Sequence, residues 1–267
     1  MAKLSISKAW DETRSIVARD RGLLFTVALA LFVLPGVISD LVTPDAPASG
    51  FPPVGYWTAV TVVALLIALV GQLAIIRLGI GSRATVGEAI GDAARRAPAY
   101  FIATLIWVLP FLLIGAALLG LVAKDPENPP PSAALALILL VGVMLFFAIR
   151  MMMTAPVATA EAAGPVAILK RSWELTRGNW LRLFGFFLLF LLAAGIVVAA
   201  VGAVLGIIVE LALGGSEPMT VGALVLSLIT QIAGAAVSVL LMLMIARCYV
   251  QLAGRGEAEV GVPTSGT

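Results

Sequence analysis

The stretch AALALILLVGVMLFFAIRMMMTA, residues 133–155, carries no charged residue from Ala133 to Ile149 and then meets Arg150. A membrane-crossing helix needs about 20 mostly apolar residues, and this run has the length. Five further runs match it: Gly22–Val42, Trp57–Gly81, Ala99–Ala123, Trp180–Leu211 and Val221–Leu252. The last two are long enough to tilt or to project past the lipid. Composition agrees. Of 267 residues, 61% are hydrophobic and 12% charged, where a soluble domain holds about 25% charged. Too few polar side chains remain to cover a water-facing surface, so lipid is the solvent for most of this chain. The expected fold is a single all-α integral membrane domain over residues 1–267, with six transmembrane helices.

Ala46-Pro47-Ala48 resembles the cleavage site of a signal peptide. The apolar run before it, Gly22–Val42, is longer than the 7–15 residues of a signal's hydrophobic region. Acids are mixed with bases ahead of that run, so a retained membrane helix is expected.

The connectors alternate in charge. Thr43–Pro53, Lys124–Ser132 and Gly214–Met219 are short, rich in proline, glycine and acids, and hold a single base, Lys124. All the other bases, out of 17 Lys and Arg, lie in the N-terminal stretch, Arg77–Arg96, Arg150–Arg182 and Arg247–Arg255. Base-rich loops stay in the cytoplasm, so both termini are expected there. Asp40, Asp45, Asp125, Glu127, Glu210 and Glu217 mark the other side. Aromatic residues fit the same division. Tyr56 and Trp57 fall at one interface, and Trp10, Tyr100, Trp173, Trp180 and Tyr249 at the other.

The base-rich connectors show helical patterning. Ser5 or Ser7 caps a first helix, with Ile6, Trp10, Thr13 and Val17 on one side. Thr85-Val-Gly-Glu88 reads as a capping box for a second. Pro165 suits the first position of a third, in which Val166, Leu169 and Trp173 form a stripe among Lys170, Arg171, Glu174 and Arg177. These are expected to be amphipathic helices lying at the cytoplasmic interface. Each third of the chain then reads as interfacial helix, membrane helix, outer turn, membrane helix. Val33-Leu34-Pro35 recurs as Val108-Leu109-Pro110, and Trp10-Asp-Glu-Thr-Arg14 as Trp173-Glu-Leu-Thr-Arg177. The second membrane helix of each third ends on an arginine, Arg77, Arg150 or Arg247. Three hairpins are expected, over about 1–82, 83–160 and 161–256, with 257–267 as a flexible tail. Any six-helix protein that obeys the charge rule would also place bases at these ends.

The most specific signal lies between Arg150 and Asn179. It contains Pro156, Glu161 and then GPVAILKRSWELTRGN, from Gly164 to Asn179. Pro156 can kink or end the fourth helix. Glu161 places a negative charge ahead of the helix that starts at Pro165. Gly178 fits a left-handed C-cap, and Asn179 can cap the next helix. Ser172, Trp173 and Thr176 complete the motif, which reads as a folded elbow at the inner surface. This stretch resembles the glycerophosphoryl diester phosphodiesterase membrane-domain family and related bacterial inner-membrane proteins. The family takes its name from members fused to a catalytic phosphodiesterase domain, which this sequence lacks. The resemblance therefore implies a fold and a bacterial inner-membrane location, not an activity.

Catalytic chemistry finds little support. The chain has no histidine, the commonest general base and metal ligand. Cys248 has no histidine partner and reads as a small apolar filler. The carboxylates do not cluster, and Asp40 and Glu210 read as solvated helix ends. Gln72, Thr104, Gln231 and Ser238 are the main polar residues within spans, and such residues commonly bridge helices. Gly202-Ala-Val-Leu-Gly206 allows close helix contact, within the chain or between copies. No enzymatic activity, cofactor, metal or nucleic acid is expected.

Arg77, Arg150 and Arg247, with Arg171 and Arg177, are the candidate ligands for anionic lipid headgroups. Simple snorkelling of these side chains to the interface is the plainer alternative. The expected function is a non-enzymatic membrane protein that organises or binds anionic lipids or partner proteins, a second copy of itself included. A lipid or amphiphile transporter and a membrane anchor for a separate phosphodiesterase are the alternatives.

Overall fold

The computed structural model describes residues 4–44, 54–81, 85–124, 130–213 and 220–254. The expected tail at 257–267, the cleavage-like Ala46-Pro47-Ala48 and most of the acidic connectors lie outside the described residues. Among those described, the chain is helical, and six helices are long and apolar enough to cross a membrane.

Helix α1, Ile6–Ala28, starts at Ser5, whose Oγ accepts from the Lys8 N–H at 3.3 Å. Asp20 leaves helical geometry (φ −111°, ψ 22°) and separates the charged part of α1 from the apolar part. A wide π turn, Leu29–Val33, leads into α2, Leu34–Val42. Pro35 explains the turn. It has no N–H for the Leu31 carbonyl, and a widened turn re-registers the chain around that gap. The remaining elements are α3 (Tyr56–Gly79), α4 (Val86–Val122), α5 (Pro131–Arg150), α6 (Thr154–Ala160), α7 (Pro165–Thr176), α8 (Trp180–Leu213) and α9 (Val221–Leu252).

Only the third base-rich connector forms a separate helix among the described residues. Helix α1 continues toward the membrane run with a local break, and α4 runs unbroken through Pro98 and Pro110. Pro98 deprives Ala94 of its helical partner, but Ala94 is exposed, so its carbonyl is open to another donor. The Thr85–Glu88 capping box forms as expected. The Thr85 N–H donates to Glu88 Oε2 at 2.8 Å, and the Glu88 N–H donates to Thr85 Oγ1 at 3.3 Å.

The expected apolar stripes are divided between the bundle and the outside. In the charged part of α1 the buried residues are Ala9, Thr13 and Ile16, while Ile6 and Val17 are half-buried against the core and Trp10 is exposed. In α7 the buried residues are Ile168, Ser172, Leu175 and Thr176, while Leu169 is half-buried and Val166 and Trp173 are exposed. Small, polar and large apolar residues all face the bundle, and large apolar ones also face outward, where lipid accepts them.

The core sits at the base-rich end. Helices α3 and α9 pack there through Leu73, Ile75 and Ile76 against Leu243, Met244 and Tyr249. Gly79 permits the approach: a Cβ there would stand 2.9 Å from both Ala246 Cβ and Leu243 Cδ2. Helices α4, α6 and α1 close around this pair, and α8 packs along α9. The Gly202 and Gly206 positions have open space, so this GxxxG serves no close contact among the described residues.

Candidate functional site

The elbow is built from its sequence outward. Helix α5 ends at Arg150, Met151–Met153 form a turn, and Pro156 sits in the first turn of α6. There its missing N–H costs nothing, because first-turn donors have no partner within the helix. Ser172 Oγ donates to the Arg150 carbonyl at 2.8 Å, and Thr176 Oγ1 does so at 3.4 Å. These bonds satisfy the orphan carbonyl end of α5 and fasten α7 to it. Gly178, at φ 84°, turns the chain, and the Asn179 carbonyl accepts from the Leu183 N–H to start α8.

Glu161 does more than face the start of α7. Its Oε1 accepts from Tyr249 Oη at 2.8 Å and from Arg171 Nε at 3.3 Å. The carboxylate thereby joins α7 to α9. Burial works to lower the Arg171 pKa, but its hydrogen bond and charge interaction with Glu161 outweigh this and raise it. Arg171 also reaches Glu174 at 3.6 Å. Arg96, which the sequence did not single out, donates to the Glu161 carbonyl at 3.1 Å and to that of Ala158 at 3.4 Å. Its signal was only its place on the base-rich side.

Of the three arginines expected at helix ends, Arg150 ends α5 and Arg77 lies in the last turn of α3, but α9 continues to Leu252 and holds Arg247 within it; the three meet different partners. Arg247 Nε lies 2.7 Å from Glu12 Oε2, with the side chain 12% exposed, and Nη1 reaches the Gly79 carbonyl at 3.4 Å. Arg77 Nε lies 3.6 Å from Asp92. Arg150 meets no carboxylate among the described residues. Its guanidinium carbon stands 4.7 Å from the Trp173 ring centre and 5.5 Å from that of Phe146. Its Nε and Nη1 are buried without a hydrogen-bond partner. Phe147 and Trp180 extend the aromatic wall, and Trp180 Nε1 donates to the Phe146 carbonyl at 3.4 Å. Arg177 is exposed and forms no ion pair among the described residues.

The polar residues within the spans form two separate groups. Tyr100 Oη donates to Gln72 Oε1 at 3.3 Å, beside a cavity of about 200 Å³ that Gln72, Tyr100, Thr104, Trp107 and Thr154 line. At the other end, Asp40 Oδ2 accepts from Ser227 Oγ at 2.9 Å and Gln231 Nε2 at 2.8 Å. Asp40 is therefore a bridge between α2 and α9 rather than a simple solvated end. Ser238 lies half-buried on α9 outside both groups, and Cys248 is fully buried. No group of three or more His, Cys, Asp or Glu that could hold a metal occurs among the described residues.

A family model described as "Domain of unknown function (DUF7847)" matches residues 4–252. The chain belongs to that family. The match carries no link to the phosphodiesterase membrane domains that the elbow motif resembles. No curated protein and no solved structure matches the chain.

Proposed function

We propose that this member of a family of unknown function is a non-enzymatic inner-membrane protein that holds anionic lipid headgroups at its base-rich, cytoplasmic end. One observation carries the proposal: Arg150 is held against Trp173 and Phe146 with two buried donors unpartnered. A buried donor without a partner costs about 1–3 kcal/mol, and more on a charged group. A headgroup phosphate supplies charged oxygen acceptors for such donors. Arg177, exposed on the same elbow, adds a second positive charge. Arg77, Arg171 and Arg247 each have an acid partner, so part of their charge is already answered within the protein, and they weigh less in the proposal.

The both-ends-inside orientation rests on the one-sided distribution of bases. The threefold hairpin layout is part of the same proposal, supported by packing of α2 on α3, α4 on α5 and α8 on α9. Kinship with the phosphodiesterase membrane domains rests on the elbow residues alone, as does a role as anchor for a separate phosphodiesterase. Organisation of partner proteins at this surface would follow from a bound lipid layer.

A second reading has its own observation. The cavity beside Gln72, Tyr100 and Thr104 is mostly apolar with a few polar groups, the character of a small-amphiphile site. It supports a carrier for such a molecule.

Native mass spectrometry of the purified protein tests the first proposal. Arg150→Gln with Arg177→Gln is expected to lower retained phosphatidylglycerol or cardiolipin about tenfold or more, the weight of one charge-assisted hydrogen bond. Unchanged retention sinks it.

A further inference from the structure

A groove follows α1 and α9, away from the Arg150 elbow. Leu24, Ala28 and Val33 form one wall, and Ala235, Val239 and Leu240 the other. Its volume is about 270 Å³, and Arg21 is the one charged residue in its lining. It opens outward, because Phe25 and Ile232, which also line it, are exposed.

Three features make this groove more than a generic lipid-facing surface. First, the part beyond Arg21 fits one leaflet. The α1 lining begins at Val17, about one turn before Arg21, and from Arg21 to Val33 it rises about 18 Å at 1.5 Å per residue, against about 15 Å for half of the hydrocarbon core. Arg21 at the inner surface therefore puts Val33 close to the midplane. Second, the break at Asp20 falls one residue before Arg21, where the charged part of α1 gives way to the apolar part. Third, the charge on Arg21 is unclaimed. Asp20, its neighbouring acid, is taken by Arg19 at 2.8 Å, and Arg21 is exposed without an ion pair among the described residues. The π turn Leu29–Val33 ends the groove by widening the helix wall.

We infer that this groove holds one acyl chain of an anionic phospholipid from the leaflet at the base-rich end, with its phosphate at Arg21. The site deepens the lipid-binding proposal and rests on it. Its lining residues are not those that surround Arg150, so the two sites can be separated by variants. The apolar lining gives the chain its place, and the arginine selects the headgroup.

The test uses the full chain with added phosphatidylglycerol or phosphatidylcholine, bound lipids being counted by native mass spectrometry. Arg21→Gln is expected to weaken phosphatidylglycerol binding about fivefold, the factor that about 1 kcal/mol for one base near the surface converts to. Ala236→Trp fills the groove from an exposed position that also lines it, and should remove one bound lipid. Arg150→Gln should leave that lipid in place and remove a different one. If both groove variants bind as the wild type does while Arg150→Gln does not, the groove is overturned and the elbow stands. Equal retention of the two lipids by the wild type overturns both.

Discussion

Arg150 and Arg247 occupy the same place in the sequence pattern, each at the base-rich end of an apolar run, yet their surroundings are opposite. Arg247 is tied to Glu12 at 2.7 Å and couples the last helix to the first. Arg150 lies against Trp173 and Phe146, and two of its nitrogens meet no acceptor. A buried cation needs an acid, an aromatic face or a ligand. At Arg247 the protein supplies the acid. At Arg150 the described residues supply aromatic faces, and the anion proposed for it is that of a lipid headgroup.

The comparison breaks most readily at the Arg247 corner. Glu12→Gln leaves a mostly buried guanidinium facing a neutral amide, and should cost about 2 kcal/mol. Thermal unfolding in detergent would show it as a lower midpoint. An unchanged midpoint would mean that the pair is no more than a surface contact. Tyr249→Phe is a milder strike at the elbow's anchor. Glu161 loses one donor and keeps Arg171, so about 1 kcal/mol of stability should be lost, read by the same unfolding measurement. Arg77→Gln sits at the small end. Its pair with Asp92 is 3.6 Å long and half exposed, and should be worth about 0.5 kcal/mol or less.

The six membrane helices were legible because lipid imposes one length and one composition on all of them. The Thr85–Glu88 box and Gly178 were legible because caps and left-handed turns follow local chemistry. Which residues of α1 and α7 pack on the bundle was not. The stripe Val166, Leu169 and Trp173 marks an apolar side, but lipid accepts large apolar side chains as readily as the bundle does, so the pattern does not say which residues turn inward. The partners of the arginines were equally hidden. Glu12 lies 235 residues from Arg247 in sequence, and nothing local distinguishes Arg247 from Arg150. Asp40 illustrates the same limit, since its donors Ser227 and Gln231 come from the last helix.

A ligand at free concentration L that binds only the folded state stabilises it by RT ln(1 + L/Kd), so the unfolding midpoint of the purified protein can be followed as phosphatidylglycerol is added. The midpoint of the wild type should rise with the lipid, that of Arg77→Gln should rise equally, and that of Arg150→Gln should rise distinctly less. An equal rise for Arg150→Gln and the wild type would contradict the assignment of Arg150 as the headgroup ligand.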